Sequence, residues 1–224
     1  MVPPHDELRK WMEANVPRTD SKSCIEIGCF PGRYLAVLGT LGYELHGIDL
    51  TPRVNEIGQW LHSQGYKTGS FSHGNFLEYN SPRSYDLVCS FGFIEHFTNW
   101  EEVLQKHIGM VAPGGMLVIE TPNFRGFLQN LLHRFLDKEN YKRHYIPAMN
   151  PNRWKEIAEA AGFEVKYHGW FGQFEFWSDS APPGFFGKAA LKVLSWCMPF
   201  LKKRKPGTAS LSPYCGIIAV RKHS

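Results

Sequence analysis

Two groups of residues in this sequence could do chemistry side by side. Glu26-Ile-Gly-Cys-Phe-Pro-Gly32 follows an apolar run and leads into a helical one, and Asp49 closes a second apolar run 17 residues after Gly32. Glycine at positions 28 and 32 permits positive φ and lets a ligand come close to the backbone. An acid at the end of the second strand of such a unit accepts hydrogen bonds from ribose hydroxyls. Further along, Glu95-His96 and His144 supply a carboxyl and two imidazoles. An imidazole ordinarily titrates at about 6.5, which suits taking a proton near neutrality. These types and spacings predict a nucleoside-binding turn near a proton acceptor. The plain structural alternatives are a tight turn with a helix-capping Asp49, a His96 packed at a helix entrance and a His144 that caps the next helix.

Those residues need a scaffold that brings strand ends together, and the apolar pattern predicts one. Residues 5–15 read as a leading helix. Strands are predicted at 23–27, 44–50, 67–72, 85–90, 116–120, 163–167 and 216–221, with helices at 34–41, 51–63, 100–110 and after Asn150-Pro151. Thr51-Pro52 reads as a helix cap with proline in the first turn, Asn99 as a second cap, and Ala112-Pro-Gly-Gly115 as a turn. Strand–helix alternation of this kind implies an α/β fold with a largely parallel sheet and helices on both faces. Ligands of such sheets bind beyond the carboxyl ends of the strands, where the strand order reverses.

Five stretches in this order resemble the class I S-adenosylmethionine-dependent methyltransferases: CIEIGCFPGRYL, HGIDLTP, HGNFLEY, YDLVCSFGFIEHF and VAPGGMLVIETPN. The resemblance covers roughly residues 22–170, and its Glu-His and Pro-Gly-Gly pieces are similar to the ubiquinone-biosynthesis O-methyltransferase branch. It implies a single Rossmann-like domain over 1–224, with a seven-stranded, mostly parallel sheet whose last strand is antiparallel. It implies S-adenosyl-L-methionine as cofactor, with S-adenosyl-L-homocysteine as product. Glu26 would orient the first turn or meet the methionyl ammonium through water, and Gly28, Cys29, Phe30 and Gly32 would lie against the methionyl part. Asp49 and Leu50 would meet the ribose, Asn75 and Phe76 would flank the adenine, and Ser90 and Phe91 would pass beneath the sulfonium. The sequence departs from the family pattern at Phe30, usually Gly, and at Asn75, usually Asp. Gly92 stands where ubiquinone-type relatives carry an extra Glu, so no metal site is expected.

Methyl transfer is an in-line displacement, in which the protein aligns the partners and, for a hydroxyl acceptor, supplies a base. His96, Glu95 and His144 are the candidates, and O-methylation of a small-molecule, lipid-linked or glycan acceptor is the expected activity. A methyltransferase fold that binds cofactor without turnover is the alternative. A dinucleotide oxidoreductase is disfavoured because Phe30 occupies the second glycine of G-x-G-x-x-G and would block a pyrophosphate.

The rest of the composition narrows the setting. The chain has 224 residues and a formal net charge of +4, yet residues 180–224 carry eight basic side chains and no acidic one. Basic ends of this kind meet phosphates, membrane surfaces or acidic partners, or simply keep a surface soluble. No nucleic-acid partner is expected, because the cations are terminal rather than spread along one face with aromatics between them. Five cysteines with no C-x-x-C pair fit a reducing cytoplasm. Residues 178–210 read as an insertion before the last strand. Within it, 183–206 is an apolar, helix-like run ending in four basic residues: a cover for the acceptor side, core packing, or a peripheral membrane contact.

Overall fold

In the computed structural model, which describes residues 2–178 and 184–223, the strands are β1 (Ser23–Ile27), β2 (Glu44–Asp49), β3 (Thr68–His73), β4 (Tyr85–Phe91), β5 (Val111–Pro122), β6 (Phe163–Phe171) and β7 (Tyr214–Arg221). They form one sheet in the order β3-β2-β1-β4-β5-β7-β6. β1 lies inside the sheet, between β2 and β4, and all five of its residues are buried, as a parallel strand between helical layers requires. β7 runs antiparallel to both β5 and β6, so the other six strands share one direction. The order reverses between β1 and β4, and the carboxyl ends of β1, β2, β4 and β5 therefore open onto one rim.

The helices are α1 (Glu7–Asn15), α2 (Arg33–Thr40), α3 (Val54–Ser63), α4 (Trp100–Gly109), α5 (Phe127–Leu136), α6 (Lys138–Lys142), α7 (Pro151–Ala160) and α8 (Gly184–Lys202). Helices α1, α2 and α3 bury Met12, Leu35, Leu38 and Leu61 on one face of the sheet. Helices α4 and α7 bury Trp100, Leu104, Trp154 and Ile157 on the other. Caps fix two of the starts: Asp6 Oδ1 accepts from Arg9 N at 2.8 Å, and Asn150 Oδ1 accepts from Arg153 N at 3.4 Å. No helix among the described residues is long and apolar enough to cross a membrane.

Several local expectations change. Helix α3 begins at Val54 with Arg53 at its cap position, not at Thr51. Thr51 instead gives its N–H to Asp49 Oδ1. Asn99 stands at the start of α4, but its amide donates to Glu102 and caps no backbone N–H. Residues 112–115 are not a turn between elements; they lie inside β5. Tyr85 pairs with Val111 and Leu87 with Met116, so the extra residues bulge out, with Gly114 at φ 73°. Pro-Gly-Gly serves a bulge as readily as a turn. The cover expected over 178–210 contains residues 179–183, which lie outside the described residues. So does Pro183, the first residue of the expected 183–206 run.

Candidate active site

The β1–α2 turn is built to let something lie against it. Gly28 has φ 72° and Gly32 has φ 84°. A side-chain carbon on Gly28 would sit 2.5 Å from the Phe93 ring. Asp49, at the end of β2, holds the turn in place: its Oδ2 accepts from Phe30 N at 2.9 Å and its Oδ1 from Thr51 N at 2.9 Å. A carboxylate has about four acceptor positions, so it can hold the turn and still accept from a diol. Beside it is a cavity of about 220 Å³ lined by Gly28, Asp49, Leu50, Asn75, Phe76 and Phe97, with Phe93 at its back. Its walls are mostly apolar and include no cation, which suits a neutral planar base above a polar sugar.

A second cavity, of about 400 Å³, opens beyond Phe91 at the end of β4. Its lining is of another kind: Arg33 and Tyr34 from the start of α2, Glu120 from the end of β5, Glu95, His96 and His144. Tyr34 and Phe91 pack ring to ring at 5.1 Å. Glu120 is buried, and burial together with the charge of Glu95 holds its pKa well above the usual carboxylate range. Glu26, buried at the end of β1, is raised for the same main reason, partly opposed by the Arg33 cation, and its Oε2 has no hydrogen-bond partner. No ion pair of Arg33 occurs among the described residues, so its charge is available to a ligand.

Glu95 and His96 lie in a short 3₁₀ turn (Ile94–His96), and the loop after α6 brings His144 to them. The bond that fixes this meeting is between backbones: Tyr145 N donates to Glu95 O at 2.6 Å. The two imidazoles stand 4.8 Å apart, centre to centre. His96 Nδ1 lies 3.1 Å from Arg143 O, and His144 Nδ1 lies 2.7 Å from Asn140 O. A carbonyl can only accept, so the proton of each neutral ring is on Nδ1 and the lone pair on Nε2. Burial pushes the Glu95 pKa up to about 8, so the group carries its proton at neutral pH. Glu95, His96 and His144 each offer a ligand atom within 4.8 Å of the others. This donor set could also meet a divalent cation, a grouping that linear spacing hides.

The predicted residues divide clearly. Glu95, His96, His144 and Phe91 line the second cavity; Gly28, Asp49, Leu50, Asn75 and Phe76 line the first. Cys29 contributes only its backbone. Its thiol is buried against Gly47, and burial raises its pKa. Phe30 does not fill the turn: its ring is 41% exposed and lies under the Arg53 guanidinium at 5.2 Å. The Ser90 hydroxyl is fully buried and without a partner. The Asn75 amide is engaged locally, accepting from Leu77 N and donating to Glu78. Arg33, Tyr34, Glu120, Phe93 and Trp177 were not foreseen. Arg33 and Glu120 had a usable signal, since each sits just beyond a glycine turn or at a strand's carboxyl end.

Comparisons with known proteins agree with this geometry. The family model described as "Methyltransferase domain" matches residues 5–168. A ubiquinone biosynthesis O-methyltransferase of Leptothrix cholodnii is 26% identical over 117 residues, covering 50% of this chain and 49% of that protein. The chain thus spans about half the length of that curated relative. Among solved structures, a SAM-dependent methyltransferase from Archaeoglobus fulgidus superposes with a TM-score of 0.62 at 19% identity, covering 96% of this chain and 93% of that one. Magnesium protoporphyrin IX methyltransferase from Synechocystis, with bound SAH, gives 0.58 at 14% identity, covering 96% and 80%. These two likenesses concern the fold. With a family match that takes in most of its length, the chain belongs to the methyltransferase-domain family, in the class I fold whose cofactor is S-adenosylmethionine.

Proposed function

We propose that the protein methylates a hydroxyl oxygen of a small-molecule acceptor, lipid-linked or glycan in character. When bound, the cofactor supplies the activated methyl carbon. Asp49 and Leu50 meet the ribose, the Gly28–Gly32 turn lies against the methionyl part, Asn75 and Phe76 flank the adenine, and Arg33 faces the carboxylate end of the amino-acid tail. Tyr34 and Phe91 pack together on the wall of the second cavity. His96 or His144 takes the acceptor's proton at Nε2 as the oxygen attacks in line. The observation that carries this reading is that His96 gives Nδ1–H to a backbone carbonyl at the cavity wall, which puts its ring lone pair on Nε2, while His144, held by Asn140 O, brings its Nε2 to 3.9 Å from Glu95 Oε1. The name of the Leptothrix relative agrees with an O-linked product. The reading includes 178–210 as a cover over the acceptor side, beginning next to Trp177, which lines the cavity. It also includes a peripheral membrane contact through 183–206, and a cytoplasmic setting for five unpaired cysteines.

The test is calorimetric titration with S-adenosylhomocysteine, with NAD as control, followed by methyl transfer to a panel of hydroxylated lipids and glycans. Micromolar binding of the first ligand alone, with transfer to an oxygen, is the expected result. Binding with no transfer to any acceptor would instead identify a cofactor-binding module, and no binding would overturn the cofactor site.

A further inference from the structure

Helix α5 carries apolar residues on two sides. Leu136 is buried, and Leu128 and Leu132 half-buried, beside the fully buried Gln129 and His133, while Phe127, Leu131 and Phe135 point into solvent at i, i+4 and i+8. Its neighbour α8, which packs against it, has two apolar faces. Leu191, Leu194, Met198 and Leu201 are half-buried on one side. Phe185, Val193, Trp196 and Phe200 are exposed on the other, and at 100° per residue they fall within an arc of about 80°. Seven large apolar side chains exposed on two packed helices are far more than a solvated surface needs.

The charge around them has one sign. Lys188 and Lys192 flank the α8 arc, and Lys202, Lys203, Arg204 and Lys205 close the helix. Beside Phe135, a groove of about 520 Å³ is lined by Arg134, Lys138, Tyr141 and Lys142. Lys142 pairs with Glu139, the one exposed acid of α5 and α6. Apolar side chains rimmed by lysine and arginine match an anionic bilayer surface, which takes up the first and attracts the second.

We propose that α5 and α8 together form a docking face for an anionic lipid bilayer, with Phe127, Leu131, Phe135, Val193, Trp196 and Phe200 entering the interface. The buried side of α5 points towards the second cavity: the His133 ring lies 5.1 Å from Trp177, which lines it. A docked protein thus holds that cavity one helix away from the membrane, and the acceptor enters from the lipid phase. The docking stands on the surface alone; the route of the acceptor rests on the proposed methyl transfer.

Co-sedimentation of the full chain with vesicles tests the proposal. Phosphatidylcholine vesicles containing phosphatidylglycerol should bind the protein at low salt, and pure phosphatidylcholine should bind it at least about 10-fold less, since each basic residue at the surface contributes roughly 1 kcal/mol. Phe135→Glu and Trp196→Glu should each reduce binding by a similar factor while S-adenosylhomocysteine titration stays unchanged, showing that the fold is intact. Failure to bind the anionic vesicles, or binding by both variants undiminished from that of the original protein, overturns the proposal. So does a dimer in gel filtration that the same substitutions dissociate without any vesicle binding, because a second copy would then cover the face. If vesicles bind but S-adenosylhomocysteine does not, the docking stands and the methyl-transfer reading falls.

Discussion

The two cavities along the carboxyl rim of the sheet are made of opposite materials. The one beside Asp49 is small and mostly apolar, shaped by Phe76, Phe93 and Phe97, with one acid at its edge. The one beyond Phe91 gathers Arg33, Glu95, Glu120, His96 and His144. The first recognises a shape and moves no proton. The second has carboxyls raised by burial next to imidazoles with defined lone pairs, an arrangement for moving charge. The division teaches that shape recognition and proton transfer call for different linings; on the proposed reading the ribose and adenine contacts lie in the first cavity, and the base, with Arg33 for the amino-acid tail, in the second.

The strongest way to break that division is at the imidazoles. We expect His96→Ala or His144→Ala to lower kcat by about 10²–10⁴, with S-adenosylhomocysteine affinity within a factor of two or so of the original protein. Steady-state kinetics and calorimetry on the same samples check this. If neither variant changes kcat, no imidazole acts as base; if affinity falls too, the cavities are not separate.

Asp49→Ala should do the converse. It removes the ribose acceptor and releases two turn N–H groups together, and hydrogen bonds to a charged group contribute roughly 1.5–3 kcal/mol each. Cofactor affinity should fall by about 100-fold, and residual turnover at saturating cofactor should be little changed. Unchanged affinity would move the ribose to another residue.

The smallest effect sharpens the second cavity alone. Burial holds the Glu95 pKa at about 8 in the folded protein, against an ordinary carboxylate value of about 4.3. The folded state therefore binds the extra proton between those values, and stability falls as pH rises through them. The slope is at most about 1.4 kcal/mol per pH unit for one proton. Glu95→Gln should flatten it, which thermal unfolding at several pH values will show as a difference of a few degrees per unit. An equally steep profile in the variant would assign the proton to Glu120 or Glu26.

Much of the frame could be read from the amino acids, for identifiable reasons. β1 is mostly apolar because it is buried on both faces, and Gly28 and Gly32 follow it where the backbone takes positive φ. Asp49 was placed correctly, but its second task, holding Phe30 N, is a contact across 19 residues that no local pattern reveals. Phe30 looked like an obstruction because its ring's direction is decided by Arg53, which belongs to another turn. Helix α5 is hard to read from the sequence because apolar residues lie on both its sides and its buried side also carries Gln129 and His133, so no single apolar face stands out. The pairing of His144 with Glu95 depends on one backbone bond between distant loops.

Glu26 and Glu120 carry a consequence of a different kind. Burial holds both carboxyls above the usual carboxylate range, and both feel the Arg33 charge, which opposes that rise. A second cation lodged next to them, such as a sulfonium or an ammonium, would draw them towards ionisation. Occupancy and proton count are then linked quantities: the protein exchanges hydrogen ions with its buffer each time the pocket fills or empties. The apparent affinity of such a pocket is a property of the solution's acidity as much as of the protein's shape.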